Sequence, residues 1–364
     1  MAEYDRPARL DNPRAWRTYL GGSMLSALHG ETGEDGHFPE EWILSVVSAR
    51  NAGWEAFPEE GLSHLYGTGI TLKSWMEQNP EAALGARHVA ANGPQPGVLL
   101  KLIDSAERLT VQVHPDRQKA MELFQSAYGK TECWHILGGR EVGGEKPCVY
   151  LGFRQGTTRE GWKALFDRQD IPGMLSCLYR FDVEPGDTLL IEGGIPHAIG
   201  AGCFLAEIQE PTDYTIRVER TTPSGFAVAD AMCHQGLGFE RMFDCFHYDS
   251  MTREAVRKRW FLPSRTLETQ PGGTLTALVT YGDTPMFQLS RLDVQTRFDL
   301  RCPGVFCGLY ILMGEGAMTC EGDSQPIRQA EQYWIPAGVK NLRLTAAPGK
   351  PLHLLQCFGP EAKA

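Results

Sequence analysis

Polar and apolar residues alternate along three separate stretches of this chain, a period that predicts strands with one wet face. In the first, Thr110, Gln112 and His114 share a face while Leu109, Val111 and Val113 share the other. In the second, Lys130, Glu132 and Trp134 fall together and Cys133 turns the opposite way. In the third, Asp213, Thr215, Arg217 and Glu219 alternate with Tyr214, Ile216 and Val218. Polar side chains inside and apolar ones outside predict a small barrel with a wet pocket.

Helical signals lie between these runs. Asn12-Pro13-Arg14-Ala15-Trp16 offers a capping Asn and a Pro at the first helical position, and residues 71–76 predict another helix. Asp116 can cap a helix on which Ala120, Leu123, Phe124 and Ala127 keep helical spacing, with Gly129 to end it. Thr157-Thr158-Arg159-Glu160 is a capping-box pattern ahead of Trp162, Leu165 and Phe166, closed by Pro172-Gly173. Residues 226–260 read as mainly helical, with Met242, Phe243 and Phe246 on one face.

Further strands are expected at 98–103, 178–183 and 188–191, and, beyond a Pro-, Thr- and Gly-rich linker at 262–273, at 286–292, 304–313, 332–335 and 353–358. A short internal repeat lays Ile191, Gly194 and His197 over Ile335, Gly338 and Asn341. It predicts a second barrel without a metal-binding histidine.

With 364 residues the chain has room for two domains. The expected division is a catalytic unit over 1–260, with an N-terminal segment and helical insertions, and a C-terminal barrel over 261–364. The 40 glycines and 23 prolines favour turns and short strands over a helical bundle. A net charge of -10 argues against nucleic acid as partner, yet leaves room for an anionic small ligand held by a few basic residues. No apolar run approaches the ~18 residues of a membrane span. The start, Met1-Ala2-Glu3-Tyr4-Asp5-Arg6, lacks the apolar stretch of a secretory signal. Ten cysteines without a CxxC pair read as free thiols in a reducing cytoplasm. Nothing in the sequence sets an oligomeric state.

Gln112, His114, Glu132 and, from Ile195-Pro196-His197-Ala198-Ile199-Gly200, His197 form a mixed oxygen and nitrogen donor set that suits a divalent borderline ion such as zinc. Singly these residues mean little, since a lone strand-end histidine is usually core or surface and Glu132 alone would be a solvated carboxylate. Lys130, Glu207, Asp213 and Arg217 suit proton transfer and anion binding, and Lys101 and Arg108 are near enough in sequence to reach the same mouth. Together the groups suit proton abstraction next to a carbonyl, with a metal and a cation stabilising an enediolate. Trp134 and Trp162 read as packing rather than sugar-stacking residues.

The segments Thr110-Val111-Gln112-Val113-His114-Pro115-Asp116, Gly129-Lys130-Thr131-Glu132-Cys133-Trp134 and Ile195 to Gly200 resemble the signature segments of the type I mannose-6-phosphate isomerases, with a loop after His197 similar to the shorter bacterial branch. Glu207, Asp213 and Arg217 fall where that family has a Glu…Asp…Arg run, and the resemblance covers about residues 95–220. It implies a mainly β double cupin fold with helical insertions, one zinc in the first barrel, and interconversion of mannose 6-phosphate and fructose 6-phosphate through a cis-enediol. By position Gln112, His114, Glu132 and His197 match the zinc ligands and Arg217 the active-site arginine. Lys130, Glu207 and Asp213 match catalytic-pocket residues, and Thr110 (commonly Ser in the family) and Lys101 match the substrate-binding side.

Two departures stand out. Pro39-Glu40-Glu41-Trp42-Ile43 replaces a run that usually reads Gly-Glu-Ser-Trp-Glu, and the segment from Gly225 to Trp260 is not placed on any family segment. The rival readings are an isomerase of another sugar phosphate and a non-catalytic sugar-binding cupin. A cupin dioxygenase is disfavoured, because Gln and Glu ligands do not make the two-His, one-carboxylate iron site.

Overall fold

The computed structural model describes residues 4–51, 53 and 56–363; residues 1–3 of the N-terminal reading lie outside them. It is mainly β, and every pairing between its named strands is antiparallel.

Two sheets form the N-terminal half. One runs Arg14–Ala15, Glu40–Ile43, Leu99–Asp104, Cys203–Gln209, Glu132–Gly139, Thr188–Ile191. The other runs Ile216–Arg217, Gln112–Val113, His197–Ile199, Cys148–Phe153, Leu178–Asp182. Ile103, Trp134, Ile136 and Leu205 of the first share a core with Val149, Leu151, Phe181 and Ile199 of the second. At the other end of this interior the polar alternation places the candidate site.

All seven residues of Cys203–Gln209 are buried, because the six-stranded sheet is covered on both faces. Its outer face, through Leu100, Leu102, Cys133, Ala206 and Ile208, packs on Leu278, Phe287, Leu289, Tyr310, Trp334 and Leu355 of the C-terminal half. Each such side chain contributes about 1.5–3 kcal/mol when fully buried. The apolar side of the Glu132 run thus joins the two halves through Cys133, whereas Val111, Val113, Ile216 and Val218 pack in a separate core with Phe153, Trp162 and Phe243.

The C-terminal half pairs a seven-stranded sheet with a four-stranded one, Arg297–Arg301, Asn341–Ala346, Glu315–Cys320, Asp323–Arg328. A separate core that includes Leu292, Phe298, Leu309, Ile311, Leu342 and Leu344 lies between them. The seven-stranded sheet begins with Ala8–Leu10, which pairs with Gln332–Ile335 in the register Ala8 to Trp334.

Several local expectations hold in detail. Asp116 accepts from the Lys119 amide at the head of Arg117–Phe124, Thr158 from Gly161 at Arg159–Arg168, and Thr71 from Ser74 at Leu72–Gln78. Others do not. The Asn12 amide donates to Glu41 and to the Ala330 carbonyl instead of capping, and Arg14–Ala15 is a strand paired with Glu40–Ile43. The expected linker at 262–273 contains the strand Arg265–Gln270; its Pro271-Gly272 is a hairpin turn to Gly273–Val279. Pro172 opens the helix Ile171–Ser176 rather than closing the one before. Arg117–Phe124 stops at Gln125, left-handed at φ 56°, short of Gly129. Residues 226–260 break into Asp230–His234, Gly238–Arg241, a 3₁₀ turn Met242–Cys245 and Arg253–Trp260. No helix among the described residues is long and apolar enough to cross a membrane.

Candidate functional site

Register builds the site. On the five-stranded sheet Gln112 lies directly across from His197 on one side and Arg217 on the other. Glu132 enters from the first residue of its strand in the six-stranded sheet. The result brings His114, Glu132 and His197 together, one donor atom from each lying within 4.8 Å of the others. The Gln112 amide is 3.3 Å from His197 Nε2, which completes the four residues the sequence singled out.

The donors are chemically prepared for a divalent cation. His114 Nδ1 bonds the Tyr214 carbonyl and His197 Nδ1 the Ile195 carbonyl, so each ring turns Nε2 toward Glu132. Burial, aided by the nearby Lys130 ammonium, lowers His114 to about 3, and burial lowers His197 as well. Both imidazoles are therefore neutral at pH 7, the form that ligates metals. Burial would raise Glu132, but the charge of Lys130 above all holds it well below the usual carboxylate range. Its Oε1 is buried and makes no hydrogen bond. A buried carboxylate oxygen left unpaired beside two neutral imidazole nitrogens fits a zinc-sized ion. Lys130 Nζ lies 3.0 Å from both His114 Nε2 and Glu132 Oε2.

A second row crosses the six-stranded sheet beside these donors: Trp42, Lys101, Glu207 and Trp134 are successive cross-strand neighbours. Glu207 accepts from Trp134 Nε1 at 2.9 Å and stands 3.4 Å from Lys101 Nζ. Burial, then the charge of Glu132, push it up to about 7 against the pull of Lys130 and Lys101. Lys101 also lies 3.5 Å from Glu40 and over the Trp42 ring at 4.7 Å.

The remaining candidates divide. Asp213 is buried with Arg17, whose charge outweighs burial and holds its carboxyl low, and it accepts from the Arg50 amide. Arg217 is half-buried and donates only to the Thr215 and Met232 carbonyls; its charge has no carboxylate hydrogen bond among the described residues. Thr110 is buried beside Gln112 on the same run. Arg108 does not reach the mouth. It forms a two-pronged pair with Glu219 at 2.6 and 2.8 Å, and Glu219 also caps the Val111 amide. Trp134 and Trp162 are fully buried, so neither can stack on a ligand.

Sequence reasoning missed the N-terminal contribution. Arg17, Tyr19 and Trp42 all hydrogen-bond or pair with the Glu40 carboxylate, at 2.9, 2.8 and 2.8 Å. The signal was present: Glu40 and Trp42 alternate inside the run that departs from the family pattern.

No family model matches the chain. A mannose-6-phosphate isomerase of Streptococcus mutans is 26% identical over 247 residues, covering 67% of this chain and 69% of that protein. The solved mannose 6-phosphate isomerase of Bacillus subtilis has a TM-score of 0.75 at 20% identity, covering 97% of this chain and 99% of that one. A solved zinc-bound mannose 6-phosphate isomerase has a TM-score of 0.70 at 14% identity, over 98% of this chain and 100% of that one. The two structural likenesses establish the fold. The chain is thus similar to mannose-6-phosphate isomerases over about two thirds of its sequence and nearly all of its fold.

Proposed function

We propose that this chain is a zinc-dependent aldose–ketose isomerase that interconverts mannose 6-phosphate and fructose 6-phosphate through a cis-enediol. The observation that carries the reading is the meeting of Gln112, His114, Glu132 and His197, drawn from strands of both N-terminal sheets, beside a carboxyl poised near neutrality.

In this reading those four residues hold zinc. Bound there, zinc supplies Lewis-acid polarisation of a substrate oxygen without proton bookkeeping. The chain's own groups do the rest. Glu207, with a pKa of about 7, can accept a proton from carbon and return it within the working pH range. Lys130 offers its ammonium to a developing negative charge, since Glu132, Glu207 and Asp213 outweigh its burial and keep it protonated. Arg217, with no carboxylate hydrogen bond among the described residues, is available to an anionic intermediate or to the substrate phosphate. Lys101 and Thr110 line the substrate side. Asp213 orients Arg17 rather than moving a proton, because its carboxylate is committed to that pair. The site belongs to a catalytic unit over 1–260, with 261–364 as a barrel without metal ligands, working in the cytoplasm on a small molecule rather than on nucleic acid or membrane.

The test is a coupled assay on mannose 6-phosphate with and without chelator, alongside zinc analysis of Glu132→Ala and His197→Ala. Both variants should lose zinc and turnover together. Full activity of either after chelation sinks the assignment. Strong preference for another sugar phosphate would keep the chemistry and change the substrate. Sugar binding without turnover in zinc-replete protein would favour the non-catalytic reading.

A further inference from the structure

His247 lies between Gly225 and Trp260, outside the residues considered above, yet it ties together the backbone of two proposed zinc ligands. Its Nε2 bonds Asp116 Oδ2 at 2.7 Å, two residues beyond His114. Its amide donates to the Gly194 carbonyl at 2.8 Å, and the Gly194 amide donates to the His114 carbonyl at 2.7 Å. Gly194 is three residues before His197. The bonds close a ring: His247 side chain to Asp116, Asp116 along the chain to His114, His114 to Gly194, and Gly194 back to the His247 amide.

The fit is tight on both sides of the Gly193-Gly194 turn. A Cβ on Gly193 would lie 2.6 Å from Asp116 Cα, and one on Gly194, at φ +88°, 2.5 Å from the His247 ring. The turn is therefore held between Asp116 and the imidazole, and only glycine admits that approach. The other Asp116 oxygen accepts from the Lys119 amide, so the carboxylate is anchored to the helix head and cannot follow a displaced partner freely.

We propose that His247 is a positioning residue of the metal site: through Asp116 and Gly194 it fixes the spacing between the backbone segments that present His114 and His197. It touches neither metal nor substrate. Its effect is preorganisation of the donors, the role that supporting contacts play around other metal sites. The inference rests on the zinc reading above.

Zinc affinity, measured by competition with a chromophoric chelator, tests it with wild type, His247→Ala and His247→Gln. A glutamine amide nitrogen can occupy the place of imidazole Nε2 and donate to Asp116. Alanine should weaken zinc binding about tenfold or more, with glutamine restoring most of the loss, since lost supporting contacts typically cost ~10–100-fold in metal affinity. The visible spectrum of the cobalt-substituted protein should change in the alanine variant and return toward wild type with glutamine. If alanine fails to fold, His247→Asn replaces it; its shorter side chain falls short of Asp116 and should bind zinc more weakly than glutamine. Wild-type affinity in the alanine variant, or equal loss in alanine and glutamine, overturns the inference while leaving the zinc reading intact. Wild-type protein that takes up no zinc overturns the zinc reading itself.

Discussion

Arg17 and Asp213 stand 196 residues apart in the chain and meet end to end, Nη1 to Oδ2 at 3.2 Å and Nη2 to Oδ1 at 3.3 Å, both buried. The same guanidinium reaches Glu40 through Nε at 2.9 Å. One cation thus serves two buried carboxylates at the wall of the site.

Arg17→Met should therefore be strongly destabilising, by about 3–5 kcal/mol, because Asp213 would be left charged in the interior without its cation and Glu40 with Lys101 alone. Urea denaturation measures it. A loss near zero would mean the carboxylates find water or another partner, and the wall is not built as described. The pairing also sets an acid sensitivity. Both carboxyls are held below their ordinary values, so their contribution is full above the unfolded carboxylate range and fades as pH falls through the folded values.

Glu207→Gln should lower kcat by about 10²-fold or more if Glu207 carries the proton. In zinc-stripped protein, infrared difference spectra should find one carboxyl that titrates near 7 in wild type and is absent from the variant. A neighbouring divalent cation favours the ionised form, so zinc loading should shift that titration downward. A variant with wild-type kcat would remove Glu207 from the chemistry.

Metal removal should cost stability as well as activity. A ligand that binds only the folded form stabilises it by about 2.7 kcal/mol at a hundred times its dissociation constant. Chelator should lower the melting temperature of wild type and leave that of His197→Ala unchanged. Equal shifts in both proteins would place the ion elsewhere.

His135 gives a pH effect separate from the metal site. Its ring is 2% exposed, bonds Thr188 Oγ1 at 2.9 Å, and burial lowers it to about 4 from the ordinary 6.5. Below 6.5 the unfolded chain binds a proton that the folded one refuses, so stability declines as pH falls from about 6.5 toward 4. The loss between pH 7 and pH 5 from this residue is about 2 kcal/mol. His135→Gln should flatten that part of the pH profile; an unchanged slope would show that the imidazole gains a proton without penalty.

The internal repeat is legible in three dimensions. Ile191 ends one strand and His197 begins the next; Ile335 ends one and Asn341 begins the next. In each half the chain passes at that point from the larger sheet to the smaller. Asn341 is exposed at the position corresponding to the buried His197, so the second barrel has no comparable donor there. The short motif marks the same strand-turn-strand step in both halves, a local feature of fixed length that holds Gly194 and Gly338 at matching places.

Partner choice was not legible. Arg108 looked close to the site in sequence, but it is turned to Glu219, 111 residues away. Arg217, read as the active-site arginine, pairs with neither Asp213 nor Glu219, since Arg17 and Arg108 take those carboxylates and leave it to carbonyl groups. The Asn12-Pro13 helix signal lost to a sheet edge, because Glu41 and the Ala330 carbonyl offered the Asn12 amide buried acceptors.

By itself the sequence determined which side chains face inward, since alternation at period two is a property of each strand's own backbone. Alternation put Gln112, His114 and Glu132 on inward faces; joining them with His197 as one ligand set took the resemblance to the signature segments. Only the tertiary structure decided how those faces meet and which charges pair, because packing of apolar faces from distant segments sets the register between sheets. A buried charge then takes whichever opposite charge that register delivers.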